Sequence, residues 1–343
     1  MKAYRLLAPG RAELLDVDRP VPGPDEVLLR VLAAGVCRTD LALLRDGAAD
    51  LPVTLGHEIV GEVVELGAAV RDRSPGAIAA VYELIGCGRC APCRRGEDNL
   101  CREGVPGVPG ITRDGGMAEL VTVPARNLVE LGAVDPVEAA PLTDAGTTAL
   151  HAIERGRPWL TADATAVVVG VGGLGHLAIQ FATAIASARI IAVDVDRPRL
   201  DLAERLGAAL GVRAGEDAAE RVLEANDGRR VDAVFDFVGS QESLDLASHV
   251  TARGGAIVVT GGGGGRLSIT ASMGAGGAPE REVTMIHTFG GTRADLAQAL
   301  DLAEAGRVHT HVERFGLEDA PRALAELDGG RVLGRAVIVP ELK

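Results

Sequence analysis

Four of the five cysteines crowd into one stretch, GCGRCAPCRRGEDNLC, as Cys87, Cys90, Cys93 and Cys101 in the pattern C-x2-C-x2-C-x7-C. Four thiolates at this spacing can converge on one tetrahedral Zn²⁺, and a site ligated wholly by protein is structural rather than catalytic. Such a site carries a formal charge of −2, and Arg89, Arg94, Arg95 and Arg102 are interleaved as compensation would require. Four free core cysteines, a redox dithiol and an iron–sulfur cluster are the competing readings; the triple C-x-x-C spacing without a βαβ setting counts against the dithiol. The fifth cysteine, Cys37, stands in GVCRTD, upstream of His57 and Glu58 in GHE. Each of these is ordinary alone.

A second chemistry is written in Gly170-Val-Gly172-Gly173-Leu174-Gly175, which follows a β-branched run and opens a helical pattern. In a G-x-G-x-x-G turn the first glycine permits the turn, the second lets a pyrophosphate approach the backbone, and the third lets helix pack on strand. Asp194 ends the next expected strand, where a carboxylate would accept from both ribose hydroxyls and repel a 2′-phosphate. That favours NAD(H) over NADP(H). Arg199, one helical turn on, would lie against the adenosine.

The elements that must position these groups divide the chain. Before about residue 130, short β-prone segments (Val27–Leu32, Ile59–Leu66, Ile78–Tyr82, Ala118–Val123) are punctuated by Gly and Pro. From about Ala145, apolar runs at Ala166–Gly170, Ile190–Asp194, Ala233–Asp236 and Ala256–Thr260 alternate with helical patterns at Leu174–Ala186 and Arg197–Leu206. Continuous apolar strands between helices argue for a parallel, doubly wound sheet. The glycine run Gly261–Gly265 is expected to be a mobile loop rather than a phosphate cradle. Helices near Asp295–Ala305 and Ala320–Leu327 and a strand at Ala336–Val339 close the chain.

At 343 residues the length is that of about two domains of roughly 150 residues. Acidic side chains outnumber basic ones to a net charge of −13 and aromatics are 2%, which argues against nucleic-acid binding. No charged residue lies between Asp163 and Arg189, a length that could cross a bilayer, but its glycines, His176 and Gln180 read better as a buried strand and helix. The N-terminal residues lack an export signal, so a cytoplasmic location is expected.

Together these motifs resemble the zinc-dependent alcohol dehydrogenases of the medium-chain dehydrogenase/reductase (MDR) superfamily. The resemblance runs through GVCRTD, LGHEIVGEVVELG, the four-cysteine lobe, DGGMAE, PLTDAGTTALHAI, VVVGVGGLGHLAIQ, AVDVDRPRL, FDFVGS, FGGTRADL and GRAVIVP. It implies an α/β protein: a GroES-like β-rich catalytic domain (1–145, with the zinc lobe at about 86–102), a Rossmann NAD-binding domain (146–288), and a segment 289–343 returning to the catalytic part. It implies two Zn²⁺ per chain, one catalytic on Cys37, His57 and Asp144, in the subgroup with aspartate as third ligand. Asp40 would orient His57, Glu58 would bind the zinc transiently during exchange, and Thr39 would relay the substrate proton. Arg38 and Arg335 would contact the cofactor pyrophosphate, Val238 and Gly239 the adenosine side, and Thr260, Gly261 and Phe289 the nicotinamide side.

The activity so implied is hydride transfer between NAD(H) and a small-to-medium secondary alcohol, ketone or aldehyde, by a homodimer or homotetramer. Three departures from the family pattern stand beside it. Positions that often carry a relay histidine hold Arg38 and Ala42, so the relay beyond Thr39 would end in ribose hydroxyls and water. Met117 replaces an aromatic, and Gly76-Ala77-Ile78-Ala79 replaces a Gly-Asp-Arg-Val. A specialised NAD(P)H-dependent reductase of an imine, enal or polyol-derived ketone is the alternative, and a non-catalytic nucleotide-binding zinc protein a minor one.

Overall fold

A computed structural model describes residues 1–48, 50–104, 107–268 and 282–341. The part of the expected cofactor domain at 269–281 lies outside the described residues. Two compact units form: Met1–Thr147 with Thr292–Lys343, and Thr148–Gly291.

The strands, in chain order, are β1 (Lys2–Ala8), β2 (Arg11–Asp16), β3 (Glu26–Val36), β4 (Val53–Thr54), β5 (Glu58–Leu66), β6 (Ile78–Val81), β7 (Leu120–Pro124) and β8 (Leu128–Glu130). There follow β9 (Thr165–Val169), β10 (Arg189–Asp194), β11 (Leu210–Arg213), β12 (Val231–Asp236), β13 (Thr251–Val259), β14 (Thr284–His287), β15 (Val312–Gly316) and β16 (Arg335–Val339).

In the first unit a sheet ordered β15-β16-β3-β5-β6-β8, with β7 also on β3, packs beside a small sheet β2-β1-β4. Its alternating strands bury one face: Val27, Leu29 and Val31 of β3 join Ile59 and Val63 of β5 in a core that also takes Phe315, Leu324 and Ile338 from the returning segment. Each such side chain withdrawn from water contributes about 1.5–3 kcal/mol, so the C-terminal segment is part of this core.

The second unit is a parallel sheet ordered β11-β10-β9-β12-β13-β14. β9 is buried along its whole length and β10 along all but Arg189, because helices cover both faces of such a sheet. The charge-free stretch is accordingly β9 and the helix Gly175–Ile185, and no helix among the described residues is long and apolar enough to cross a membrane.

The glycine run departs from expectation. Gly261 donates to Asp236 O, Gly263 to Val238 O and Gly265 to Gly239 O, so the run is anchored to the loop after β12. A Cβ at Gly261 would sit 2.2 Å from Val238 C, and one at Gly265 2.6 Å from Ser240 C. The glycines permit two backbones to lie in contact.

Candidate active site and metal centres

β3 ends at Val36, and Cys37 stands at the N-terminus of the helix Arg38–Asp46. Asp40 turns back into that end: its Oδ2 accepts from Cys37 N at 2.8 Å, and its Oδ1 accepts from Gly56 N at 3.2 Å. One buried carboxylate thus ties the turn carrying Cys37 to the residue preceding His57. Its Oδ1 is 3.6 Å from His57 Nδ1, beyond hydrogen-bond distance, so its direct hold is on the two backbones.

β5 begins directly after His57, and Asp144 follows the turn Ala140–Thr143. Asp144 Oδ2 lies 3.4 Å from Cys37 Sγ and 3.4 Å from His57 Nε2. Donor atoms of Cys37, His57, Glu58 and Asp144 all fall within 4.8 Å of one another. A soft thiolate, an imidazole nitrogen and a carboxylate oxygen converging in this way fit a zinc ion with room for a substrate oxygen. Thr39 Oγ1 is 3.7 Å from Cys37 Sγ.

Glu58 and Arg335 form a buried ion pair across β3. Gly35 is the register partner of Glu58 on β3, and Val337 of β16 faces Gly35 from the other side. A Cβ at Gly35 would sit 1.7 Å from Glu58 Oε2, so the missing side chain makes space for the carboxylate. Arg335 Nη2 donates to Glu58 Oε1 and lies 3.5 Å from Asp144 Oδ2. Arg335, expected to contact the cofactor pyrophosphate, has a guanidinium only 3% exposed that lies between two carboxylates of the metal cluster. The physical reason is charge: two buried acids beside a thiol draw in the nearest cation.

The fields follow from these contacts. Burial would drive His57 toward the neutral ring, but Asp40 and hydrogen bonding with Asp144 and Cys37 hold it well above the usual histidine range. Burial would likewise raise Asp144, yet His57 and Arg335 hold it below the usual carboxylate range. For Glu58 burial wins over Arg335, and the carboxyl is pushed up to about 7. In metal-free protein a proton therefore occupies His57 where a metal needs the bare nitrogen. Metal uptake at this site is expected to release protons and to strengthen as pH rises from 5 to 8, checked by zinc titration in weak buffer with a pH indicator. Uptake independent of pH over that range would exclude His57 as a ligand.

Glu83 is a group the sequence reading missed. It is 7% exposed and lies two residues beyond β6; continuing the antiparallel register Glu62↔Ile78, Gly61↔Ala79, Val60↔Ala80 brings position 83 alongside position 57. Its carboxyl hydrogen-bonds with Asp144, and burial, with the charges of Asp144 and Cys37, pushes it well above the usual carboxylate range. The available signal was an acid set inside the apolar run Val81-Tyr82-Glu83-Leu84-Ile85 just before Cys87.

Cys87, Cys90, Cys93 and Cys101 gather as a second cluster, their sulfurs within 4.8 Å of one another. Cys90 Sγ and Cys93 Sγ are 3.3 Å apart, too far for a disulfide and close enough to share one ion. Main-chain N–H groups point at sulfur: Cys87 N to Cys101 Sγ at 3.4 Å and Cys90 N to Cys87 Sγ at 3.3 Å. Backbone donors from Arg102 and Cys93 lower the Cys90 thiol to about 6. Of the interleaved arginines, Arg89 pairs with Glu103 and Arg95 with Glu97, and both also feel the cysteines, Arg89 those at 87 and 101 and Arg95 the one at 90. The Cys90 thiolate is stabilised first by peptide N–H groups.

In the second unit the glycine turn lies at the carboxyl end of β9. Gly170 has φ +86°, and a Cβ at Gly175 would be 1.8 Å from Gly170 O, so the helix begins against the strand end. Gly172 is open, with Arg199 Nη1 3.7 Å from where its Cβ would be, and Gly173 and Leu174 complete the turn. Asp194 Oδ2 accepts from Val171 N at 2.7 Å and Oδ1 from Asp196 N at 3.0 Å, so it braces this turn. Val238 and Gly239 both donate to Asp236 Oδ1, and Thr260 Oγ1 meets Thr288 Oγ1 at 2.8 Å. Gly261 packs on Val238, while Phe289, past the end of β14, is 58% exposed. All these residues stand at the carboxyl edge of the parallel strands, where such sheets bind nucleotides. Arg38 is exposed at the start of its helix.

Residues 23–133 match the alcohol dehydrogenase GroES-like domain, and residues 173–305 match the zinc-binding dehydrogenase domain. An NAD-dependent alcohol dehydrogenase of Sulfurisphaera tokodaii is 37% identical, covering 99% of this chain and 100% of that protein. The chain belongs to the zinc-dependent alcohol dehydrogenase family of the MDR superfamily. Among its relatives in this family, the alcohol dehydrogenase of Aeropyrum pernix superposes with a TM-score of 0.90 at 35% identity, covering 99% of this chain and 100% of that one. A D-arabinose 1-dehydrogenase (NADP(+)) of Saccharolobus solfataricus is 35% identical over 95% of this chain and 93% of its own. The GroES-like and doubly wound α/β architecture expected for this family is the one found.

Proposed function

We propose that the chain is an NAD(H)-dependent alcohol dehydrogenase or carbonyl reductase of small-to-medium secondary alcohols, ketones or aldehydes, with two zinc ions. In this reading residues 1–145 and 289–343 carry metal and substrate and 146–288 carry the cofactor. The observation that carries it is the convergence of Cys37, His57 and Asp144 in a chain whose second unit presents a complete glycine turn. Zinc held by these three residues would supply Lewis acidity toward the substrate oxygen, and a nicotinamide held by the second unit would supply or take up the hydride.

The chain's own residues do the rest. Cys37 and Asp144 bring two negative charges and His57 none when neutral, so with Zn²⁺ the ligand set is formally neutral. Glu58 and Arg335 cancel one another. No surplus negative charge therefore opposes an alkoxide. Thr39, beside Cys37, accepts the substrate hydroxyl proton in oxidation and returns it in reduction. With Arg38 and Ala42 flanking it, that proton leaves through water or ribose hydroxyls.

A panel of ketones, aldehydes and imines with NADH and NADPH, together with zinc counts, tests the reading. Turnover of a simple ketone with NADH at two zincs per chain supports it; turnover confined to imines, enals or polyol-derived ketones moves the assignment to a specialised reductase. Asp194→Ala is expected to weaken NADH binding about tenfold or more, since a hydrogen bond to a charged group is worth about 1.5–3 kcal/mol, and to weaken NADPH less. Fluorescence titration reads both constants. Equal losses would reduce Asp194 to the brace of Val171 and Asp196. A homodimer or homotetramer belongs to the same reading, with the open edge at β14 as the joining strand, and light scattering measures it.

A further inference from the structure

We propose that the turn from Gly110 to Gly116 aims His57 at the metal, with Gly110 and Gly115 as its positioning residues. The proposal rests on the reading of Cys37, His57 and Asp144 as a zinc site. A histidine that binds a metal through one ring nitrogen is ordinarily oriented by a hydrogen bond from the other. Here Nδ1 of His57 is buried and has no hydrogen-bond partner among the described residues, Asp40 Oδ1 being 3.6 Å away. The aim of Nε2 therefore rests on where the main chain holds residue 57.

That main chain is gripped by the turn. The carbonyls of Thr54, Leu55 and Gly56 accept from Gly115 N at 2.9 Å, Met117 N at 2.9 Å and Gly116 N at 2.7 Å. Asp114 Oδ1 accepts from Thr54 N at 2.8 Å, so the turn holds the segment leading into His57 by donors and acceptors alike. Asp40 fixes Gly56 N and the turn fixes Gly56 O, which leaves both polar groups of the preceding residue tied. This grip needs an approach closer than a side chain permits. A Cβ at Gly110 would sit 2.6 Å from Gly56 C and 2.9 Å from Gly56 N, and one at Gly115 2.3 Å from Gly56 O. Main-chain atoms cannot swing aside as the tip of a long side chain can. A methyl at either position therefore moves Gly56, and with it the ligand that follows.

The test loads Gly110→Ala, Gly115→Ala, Gly107→Ala and Asp114→Ala proteins with zinc and challenges each, beside the parent, with a graded chelator. Gly107 shares the left-handed backbone of Gly110, at φ +72° against +79°, and so carries the same penalty for alanine. A Cβ there meets only Arg113 Cδ and Ile85 Cδ1, both at 3.6 Å, so this variant separates backbone strain from pressure on Gly56. Asp114→Ala takes away one hold on Thr54 and inserts nothing. The four-cysteine metal and far-UV circular dichroism report that the fold is intact. Gly110→Ala and Gly115→Ala are expected to bind the Cys37/His57/Asp144 metal about 10- to 100-fold more weakly, the range for losing a group that orients a ligand. Asp114→Ala should lose about two- to tenfold, the worth of one hydrogen bond, and Gly107→Ala nothing. Cobalt placed in the site should show a displaced visible absorption in the Gly110 and Gly115 variants and the parent spectrum in Gly107→Ala. Parental affinity and spectrum in Gly115→Ala overturn the proposal, as does a loss in Gly107→Ala equal to that in Gly110→Ala. Where an alanine at 110 or 115 prevents folding, Asp114→Ala decides, and parental affinity there overturns the proposal. A parent chain that binds metal only at the four cysteines overturns the site reading itself, an outcome distinct from these.

Discussion

Replacing Asp144 with alanine is expected to lower the zinc content from two to one per chain and turnover by about a thousandfold, with the fold retained. The magnitude follows from the several kcal/mol that a Lewis acid contributes to the developing alkoxide, at 1.36 kcal/mol per decade of rate. The fold should survive because the contacts of Asp144 with Cys37, His57 and Arg335 belong to the polar site rather than to the apolar core. Elemental analysis and steady-state kinetics read the two losses. Two zincs with parental turnover would remove Asp144 from the ligand set. The four-cysteine metal is the internal standard, since its donors lie within Cys87–Cys101.

The second large effect is expected from Arg335→Met. It leaves the buried Glu58 and Asp144 without their common cation, and breaking a buried pair by removing one partner costs about 3–5 kcal/mol. The penalty has a pH signature. A carboxyl whose folded pKa stands above its unfolded value costs stability as pH rises from about 4.3 toward the folded value, and Glu58 already stands at about 7 with Arg335 present. The deficit of the variant should therefore shrink as pH falls toward 5. Adding Glu58→Gln to Arg335→Met should recover part of the loss at neutral pH, because the amide is neutral without having to take up a proton on folding. Urea unfolding of the metal-free proteins measures all four corners of the cycle; a deficit under 1 kcal/mol would show that the pair is solvated rather than buried.

Where chemistry is local in sequence, the sequence displayed it. The spacing of Cys87, Cys90, Cys93 and Cys101 and the turn from Gly170 to Gly175 needed no tertiary information, because each is a single loop. Buried strands such as Thr165–Val169 and Arg189–Asp194 were legible from unbroken apolar runs. What stayed hidden depends on strand neighbours. Arg335 meets Glu58 because β16 and β5 flank β3, and nothing within either segment announces that adjacency. Glu83 was hidden for the same reason, since only the β5–β6 register carries it to His57.

The glycine at 35 has a consequence for how this site can change. Any side chain there occupies the place of the Glu58 carboxylate, which would sit 1.7 Å from the new Cβ. Positions 35 and 58 therefore form one mutational unit. A descendant in which residue 35 grows before residue 58 shortens must pass through a protein whose buried arginine has lost its partner. The reverse order, a shorter acid at 58 first and a methyl at 35 second, removes the collision with the carboxylate and leaves the Cβ of residue 58, 2.9 Å away, as the remaining close contact. The ordering of viable changes at the heart of the enzyme is thus set by one missing carbon atom on the neighbouring strand.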